Sequence, residues 1–254
     1  MMILNNFMTA LFKIINNTEN KDTNFVIAYF LLTHIKEIEN MKLQDMADAC
    51  YVSTYTLMQF FKKFGFNKLS IAKKILSKHY DVRFYQFKER YKNNKIDQIK
   101  QCLKPVLTAE DYEEIFNQDQ MDQLCQKIHQ ANRIIIQGSD ESMSCLLRFQ
   151  GDMITMDKLV VQNSMYENHF NSLDNQNLNI LFSLSGNITK LMSHSIQDNL
   201  KQHDLVMVGY QKFYDTNLLL KIPDYVDDAL QNLIVNYYFE NISYCYYCKY
   251  YVDK

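Results

Sequence analysis

The sequence predicts two folded domains of different class: an all-helical domain followed by an α/β domain built on a parallel sheet. Three observations lead there. At 254 residues the chain is longer than one modest core organises comfortably. Its apolar period changes from helical to strand-like near residue 133, and its charge changes sign along the chain.

In the first part, apolar residues recur at helical spacing: Phe25, Ile27, Ala28, Phe30, Leu31, Leu32, Ile35 and Ile38, then Leu43, Met46, Ala47 and Ala49, then Leu57, Phe60, Phe61 and Phe64. Residues 80–130 are polar and helix-prone, with Pro105 as the expected break. From residue 133 short apolar runs of strand length follow one another: RIIIQ (133–137), KLVVQ (158–162), LNILFSL (178–184) and DLVMVGY (204–210). Helix-length segments lie between them, which predicts a parallel sheet covered by helices on both faces. The expected boundaries are a helical domain over 1–90, a linker over 91–110 and the α/β domain over 111–254.

The near-neutral total charge conceals an asymmetry. Residues 1–95 hold 15 Lys and Arg against 8 Asp and Glu, whereas residues 96–254 hold 12 against 21. A polyanion is attracted by the first set and repelled by the second, so a nucleic-acid partner is expected at the amino-terminal end. No run approaches the roughly 18 to 20 apolar residues that cross a bilayer. The opening MMILNNFMTALFKII has neither a basic start nor a small-residue cleavage site, so no membrane partner and a cytoplasmic location are expected. Six scattered cysteines read as reduced thiols. The pair Cys245 and Cys248 has no second ligand pair at metal spacing, so it reads as helix packing, and no metal or cofactor is implied.

The segment ADACYVSTYTLMQFFKKFG (47–65) carries the most specific local signal. Ser53 is a preferred N-cap, which starts a helix at Thr54, and Gly65 supplies its stop after Phe64. Leu43 to Cys50 makes a short preceding helix, and Tyr51-Val52-Ser53 has the length of the tight turn in a helix-turn-helix unit. In that geometry the first turn of the second helix enters the major groove, placing Thr54, Tyr55, Thr56, Met58 and Gln59 among the base-reading positions, with Ser53 at the cap. Lys62, Lys63 and Lys68 lie where ammonium groups flank phosphates, and Gln44, in the first turn of the preceding helix, occupies another phosphate-facing position.

The stretch MKLQDMADACYVSTYTLMQFFKKFGFNKLSIAKK (41–74) resembles the N-terminal DNA-binding domain of the RpiR family of bacterial sugar-metabolism regulators. Ala47, Val52, Ser53, Thr56, Phe60, Lys63, Gly65 and Phe66 match the family pattern, while its usual arginine falls on Gln59 and its leucine on Phe64. The resemblance implies a C-terminal sugar isomerase-type (SIS) domain of flavodoxin-like fold that senses phosphosugars. It also implies a transcriptional regulator that binds a double-stranded DNA operator as a homodimer or a dimer of dimers.

Two loops fit the phosphate sites that the resemblance implies. Ser183-Leu184-Ser185-Gly186-Asn187 looks like the family's Ser-x-Ser-Gly-x-Thr loop, with Ile188 at the final position and Thr189 one place late. Gly138-Ser139-Asp140-Glu141-Ser142 resembles a Gly-x-Gly-x-Ser turn whose second glycine is Asp140. The candidate ligand residues are therefore Ser139, Ser142, Ser183, Ser185, Gly186, Asn187 and Thr189. Asp140 and Glu141 weigh against an anionic ligand: like unit charges 4 Å apart repel by about 1 kcal/mol in water and about 4 at an effective dielectric near 20. Nothing places a general base beside a sugar carbon, so catalysis is not expected. The alternatives are an isomerase-type enzyme and a constitutive DNA binder with a vestigial, non-sensing SIS domain. The tyrosine-rich final helix, with Leu230, Leu233, Ile234, Tyr237, Tyr244, Tyr247 and Tyr251 near one face, is expected to pack on the sheet or on a second subunit.

Overall fold

A computed structural model describes residues 2–16, 22–92, 95–164, 176–184, 205–212 and 218–252. The chain divides into two compact units, Met1–Lys88 and Glu89–Lys254.

The first unit contains helices joined by turns, with no strand among its described residues. It contains α1 (Met2–Asn16), α2 (Thr23–Thr33), α3 (Leu43–Ala49), α4 (Thr54–Lys63) and most of α5 (Leu69–Lys92). Asp22 caps α2 by accepting the Phe25 amide at 2.9 Å. Leu11, Ile15, Ile27, Leu31, Leu57, Phe60 and Phe61 are fully or nearly fully buried, one stripe each from α1, α2 and α4, as the helical apolar period requires. The Phe7 ring fits among Phe61, Phe64 and Phe66, and its centroid lies 4.8 Å from that of Phe66 in an edge-on arrangement. The first turns of α5 are held by Lys73, whose ammonium donates to the Met41 carbonyl at 2.7 Å, and by Ser77, which donates to Glu39.

His79 on α5 is buried, and that burial, reinforced by the Arg83 guanidinium, lowers its pKa from 6.5 to about 4. The unfolded chain therefore binds a proton that the folded chain refuses between those two values. Stability is complete above pH 6.5 and is lost as pH falls toward 4, by an amount on the order of 2–3 kcal/mol. Urea midpoints taken across that window should fall with pH in the native chain and fall less in a His79→Gln variant; parallel slopes would contradict the assignment.

The second unit is a five-stranded, all-parallel α/β sheet. Its strands are β1 (Arg133–Gly138), β2 (Leu159–Ser164), β3 (Leu178–Ser183), β4 (Leu205–Gly209) and β5 (Leu218–Lys221), in the order β2-β1-β3-β4-β5. This is the flavodoxin-like order, and it reverses direction between β1 and β3. The four expected strands form within about two residues of their expected limits. β5 has no counterpart in the sequence reading: Leu218-Leu219-Leu220-Lys221 is only four residues long, too short for its period to show.

Residues 91–110, the expected connection, carry α6 (Lys95–Leu103), and Ile96, Leu103 and Leu107 are buried. Pro105 follows the helix end, where its missing N–H costs nothing. Then come α7 (Ala109–Ile115), capped by Thr108, and α8 (Gln118–Gln130), capped by Asn117. Between β1 and β2 lie α9 (Asp140–Met143), a 3₁₀ turn at Ser144–Leu146 and α10 (Leu147–Thr155).

The final helix, α11 (Asp228–Tyr250), is buried on several sides, including Ile234, Tyr237, Tyr238, Phe239, Ile242 and Tyr246. It packs within its own chain. The Phe239 ring meets Phe149 of α10 at 4.8 Å and Phe182 of β3 at 5.5 Å, so α10 and α11 share one face of the sheet. The Tyr238 hydroxyl donates to the Lys221 carbonyl of β5 at 2.9 Å. The buried aromatic surface is wider than the single face expected, because the helix is also touched by α6 and α8.

A polar clamp joins the turn Glu89–Lys92 to α10 and α11. Arg90 reaches Asp152 at 2.6 Å and Glu240 at 3.5 Å, Arg148 reaches Glu240 at 3.0 Å, and the Tyr91 hydroxyl donates to the Glu240 carbonyl at 3.2 Å. A second clamp holds β5 to α7: Lys221 bridges Asp111 and Glu114, each at 2.8 Å, while the Tyr225 hydroxyl donates to Asp111. Buried carboxylates are thus met by cations and hydroxyls rather than left in apolar surroundings.

Candidate functional site

The α3–turn–α4 segment is built from two successive local devices. The chain leaves α3 through a Schellman motif: the Tyr51 N–H donates to the Asp48 carbonyl at 3.0 Å and the Val52 N–H to the Ala47 carbonyl at 3.0 Å. Tyr51 occupies its left-handed position, with φ 55°. Ser53 then caps α4, its Oγ accepting the Thr56 N–H at 3.0 Å. A second Schellman motif ends α4, where Gly65 takes φ 84° and the Phe66 N–H donates to the Phe61 carbonyl. Four residues, Cys50-Tyr51-Val52-Ser53, therefore separate two helices whose apolar sides, Met46 and Ala47 against Leu57, Phe60 and Phe61, are buried.

On the outer side, Tyr51 and Tyr55 are 95% and 71% exposed. Thr54, Met58 and Gln59 are half-buried, whereas Lys62 and Lys68 are exposed. Four of the expected contact residues, Ser53, Thr56, Lys63 and Gln44, make hydrogen bonds within the unit. The Thr56 hydroxyl lies 2.8 Å from Ser53 Oγ, so these two hydroxyls satisfy one another at the cap. Lys63 donates to Asn24 Oδ1 at 3.0 Å, and Gln44 donates to Asp48 one turn on at 2.7 Å. The accessible polar surface thus includes Gln44, Tyr51, Ser53, Tyr55, Lys62, Lys63 and Lys68, with Thr54 and Gln59 partly open. Tyr51 was missed by sequence reasoning because nothing in its local pattern marks it as left-handed; a glycine there would have been read at once.

In the second unit the reversal of strand order places the carboxyl ends of β1 and β3 side by side, the position where open α/β sheets take ligands. Ser139 and Ser142 come together there: their hydroxyls are 2.8 Å apart, and the Ser142 N–H donates to Ser139 Oγ at 3.3 Å. Asp140 is the first residue of the right-handed turn α9, a backbone conformation that does not require glycine. Gly138 does need to be glycine, since a Cβ would approach that of Phe182 to 2.7 Å. Gly209 is equally constrained, because a Cβ would meet the Ser183 carbonyl oxygen at 2.5 Å.

Ser183 ends β3 fully buried, and its hydroxyl has no hydrogen-bond partner among the described residues. By strand register it lies on the same sheet face as Gln137 and Asn163, opposite the face covered by α10 and α11; both of these also carry an unpaired amide oxygen. Buried polar atoms are seldom left so. Ser185, Gly186, Asn187 and Thr189 lie outside the described residues.

The chain matches no family model and no curated protein. Among solved structures it is similar to the Vibrio vulnificus NanR protein complexed with ManNAc-6P, at 12% identity over 94% of this chain and 92% of that chain, TM-score 0.43. It is also similar to the C-terminal domain of glucosamine-fructose-6-phosphate aminotransferase from Francisella tularensis, at 13% identity over 69% and 50% of the two chains, TM-score 0.44. A third is a putative tagatose-6-phosphate ketose/aldose isomerase from Clostridium novyi NT, at 9% identity over 80% and 48%, TM-score 0.41. The fold assignment rests on the strand order and register of the chain itself.

Among the described residues no three His, Cys, Asp or Glu side chains gather as a metal site, and no helix is long and apolar enough to cross a membrane. The six cysteines are free thiols. Cys245 and Cys248 line a cavity of about 520 Å³ with Gln118, Asp122, Asn241 and Lys249. Cys245 accepts from the Gln118 amide and donates to Asn241, and burial raises its thiol pKa above the usual value. That shift suits packing better than thiolate chemistry.

Proposed function

We propose that this protein is a transcriptional regulator that binds a double-stranded DNA operator as a dimer through α3 and α4 and takes a phosphosugar at the β1–β3 strand ends. The observation that carries the reading is the α3–turn–α4 geometry: a capped helix, presented by a short supporting helix, whose outer side is polar and whose unit is basic. The resemblance of residues 41–74 to the RpiR family supports the same conclusion, and the unpaired Ser183 hydroxyl, with the paired serines after β1, supports an effector site. A ligand that favours one arrangement of the sensor dimer over another would change the spacing of the two reading helices, and so operator affinity. The reading is non-catalytic.

The test is duplex binding by the purified full-length chain, with and without a panel of sugar phosphates. Lys62→Ala is expected to weaken binding to all sequences alike and to flatten the salt dependence by about one unit of slope. Thr54→Ala or Gln59→Ala is expected to relax preference among operator variants by about 1–3 kcal/mol. Equal losses on every sequence for both kinds of variant would contradict the division between readers and phosphate contacts. DNA binding indifferent to every sugar phosphate would leave the constitutive binder.

A further inference from the structure

Three Schellman motifs end helices in the described residues, and the residue at the left-handed position differs in each. Gly65 adopts it without penalty. Asp157, at φ 57°, follows α10, and its carboxylate accepts from the Tyr251 hydroxyl at 3.2 Å, which anchors it locally. Tyr51 has neither advantage. A bulky side chain at positive φ is disfavoured by about 1 kcal/mol or more, and at 95% exposure its ring recovers nothing by burial. Strained positions that the surrounding structure enforces, with no local return, are where function is to be sought.

We propose that Tyr51 contacts the phosphodiester backbone of duplex DNA, its phenolic O–H donating to a phosphate oxygen. The inference rests on the DNA-binding reading above and adds to it a contact that the helix-turn-helix pattern does not contain. Tyr51 stands on the turn at the entrance to α4 rather than on its first turn, where base-reading side chains belong. Tyrosine hydroxyls are ordinary phosphate partners and serve to set register and orientation. The basic excess of residues 1–95 draws a polyanion to this unit. Lys63 and Gln44, expected to grip phosphates, hydrogen-bond Asn24 and Asp48 while staying exposed, so the turn tyrosine adds a neutral contact beside theirs.

The experiment uses the full-length chain and a labelled duplex enriched by that chain from a random-sequence pool. Tyr51→Gly should keep or raise the thermal midpoint, because the backbone strain is relieved, yet bind the duplex about tenfold more weakly, as loss of one hydrogen bond to a charged acceptor dictates. Tyr51→Phe should lose a similar factor while leaving the salt slope unchanged, since a phenol displaces no counterion. Wild-type affinity in Tyr51→Phe overturns the hydroxyl contact, and wild-type affinity in Tyr51→Gly overturns any role for the side chain. If either occurs while Lys62→Ala still weakens binding, the regulator reading survives without Tyr51. If the native chain enriches no duplex, both fall together.

Discussion

Replacing Arg90 by methionine is expected to destabilise the second unit by about 3–5 kcal/mol, the usual consequence of stranding a buried charge. Its partner Asp152 has a side chain only 3% exposed, and Arg90 holds it at 2.6 Å. Glu240 would be less affected, because Arg148 remains 3.0 Å away. Adding Asp152→Leu should restore most of the loss, since an apolar pair of similar volume carries no desolvation penalty. Urea unfolding of the native chain, the single variant and the double variant checks this. A single-variant loss below about 1 kcal/mol would mean that water reaches Asp152 and that the clamp is an ordinary surface pair.

Truncating Phe61 to alanine should cost the first unit about 3–5 kcal/mol. The side chain is fully buried in the middle of α4, and its ring lies 6.4 Å from Phe7 and 5.9 Å from Phe60. Hydrogen exchange localises the effect: α4 amides should lose protection by two orders of magnitude or more, as one decade corresponds to about 1.4 kcal/mol. Phe64→Ala, at a half-buried position one turn on, should cost far less and serves as the comparison. If the two substitutions had the same small effect, α4 would not be seated on the apolar core described above. Duplex affinity should fall with helix protection in Phe61→Ala, because the reading surface exists only while α4 is docked.

The elements were legible where their causes are local. Ser53 and Gly65 bracket α4 because a side-chain hydroxyl and a missing Cβ act on backbone groups two to four residues away. Four of the five strands could be read because each is five or six residues long and carries three or more apolar residues. β5 was not, being four residues at the sheet edge. The expected linker contains α6 because Ile96 and Leu103 are buried by partners far along the chain, which no window of local sequence contains.

The candidate site was legible to a smaller extent. The reading helix and its cap follow from composition and spacing, but the engagement of Lys63 by Asn24 joins residues 39 apart, and the Arg90 clamp joins residues 62 and 150 apart. Such pairings depend on which helices meet, and periodicity is silent about that. The isolation of Ser183 Oγ is likewise a property of the assembled sheet.

The residue order alone settled the two-class architecture, the parallel sheet, the capped helix at Thr54 and the basic character of the first part, since each follows from forces acting over a few neighbours or from summed charge. Only the tertiary arrangement decided that Tyr51 would be left exposed, that Lys63 would meet Asn24, and that buried Asp152 would pair with Arg90. Burial, strain and charge pairing are determined by distances between side chains remote in sequence, and those distances exist only once the chain has folded.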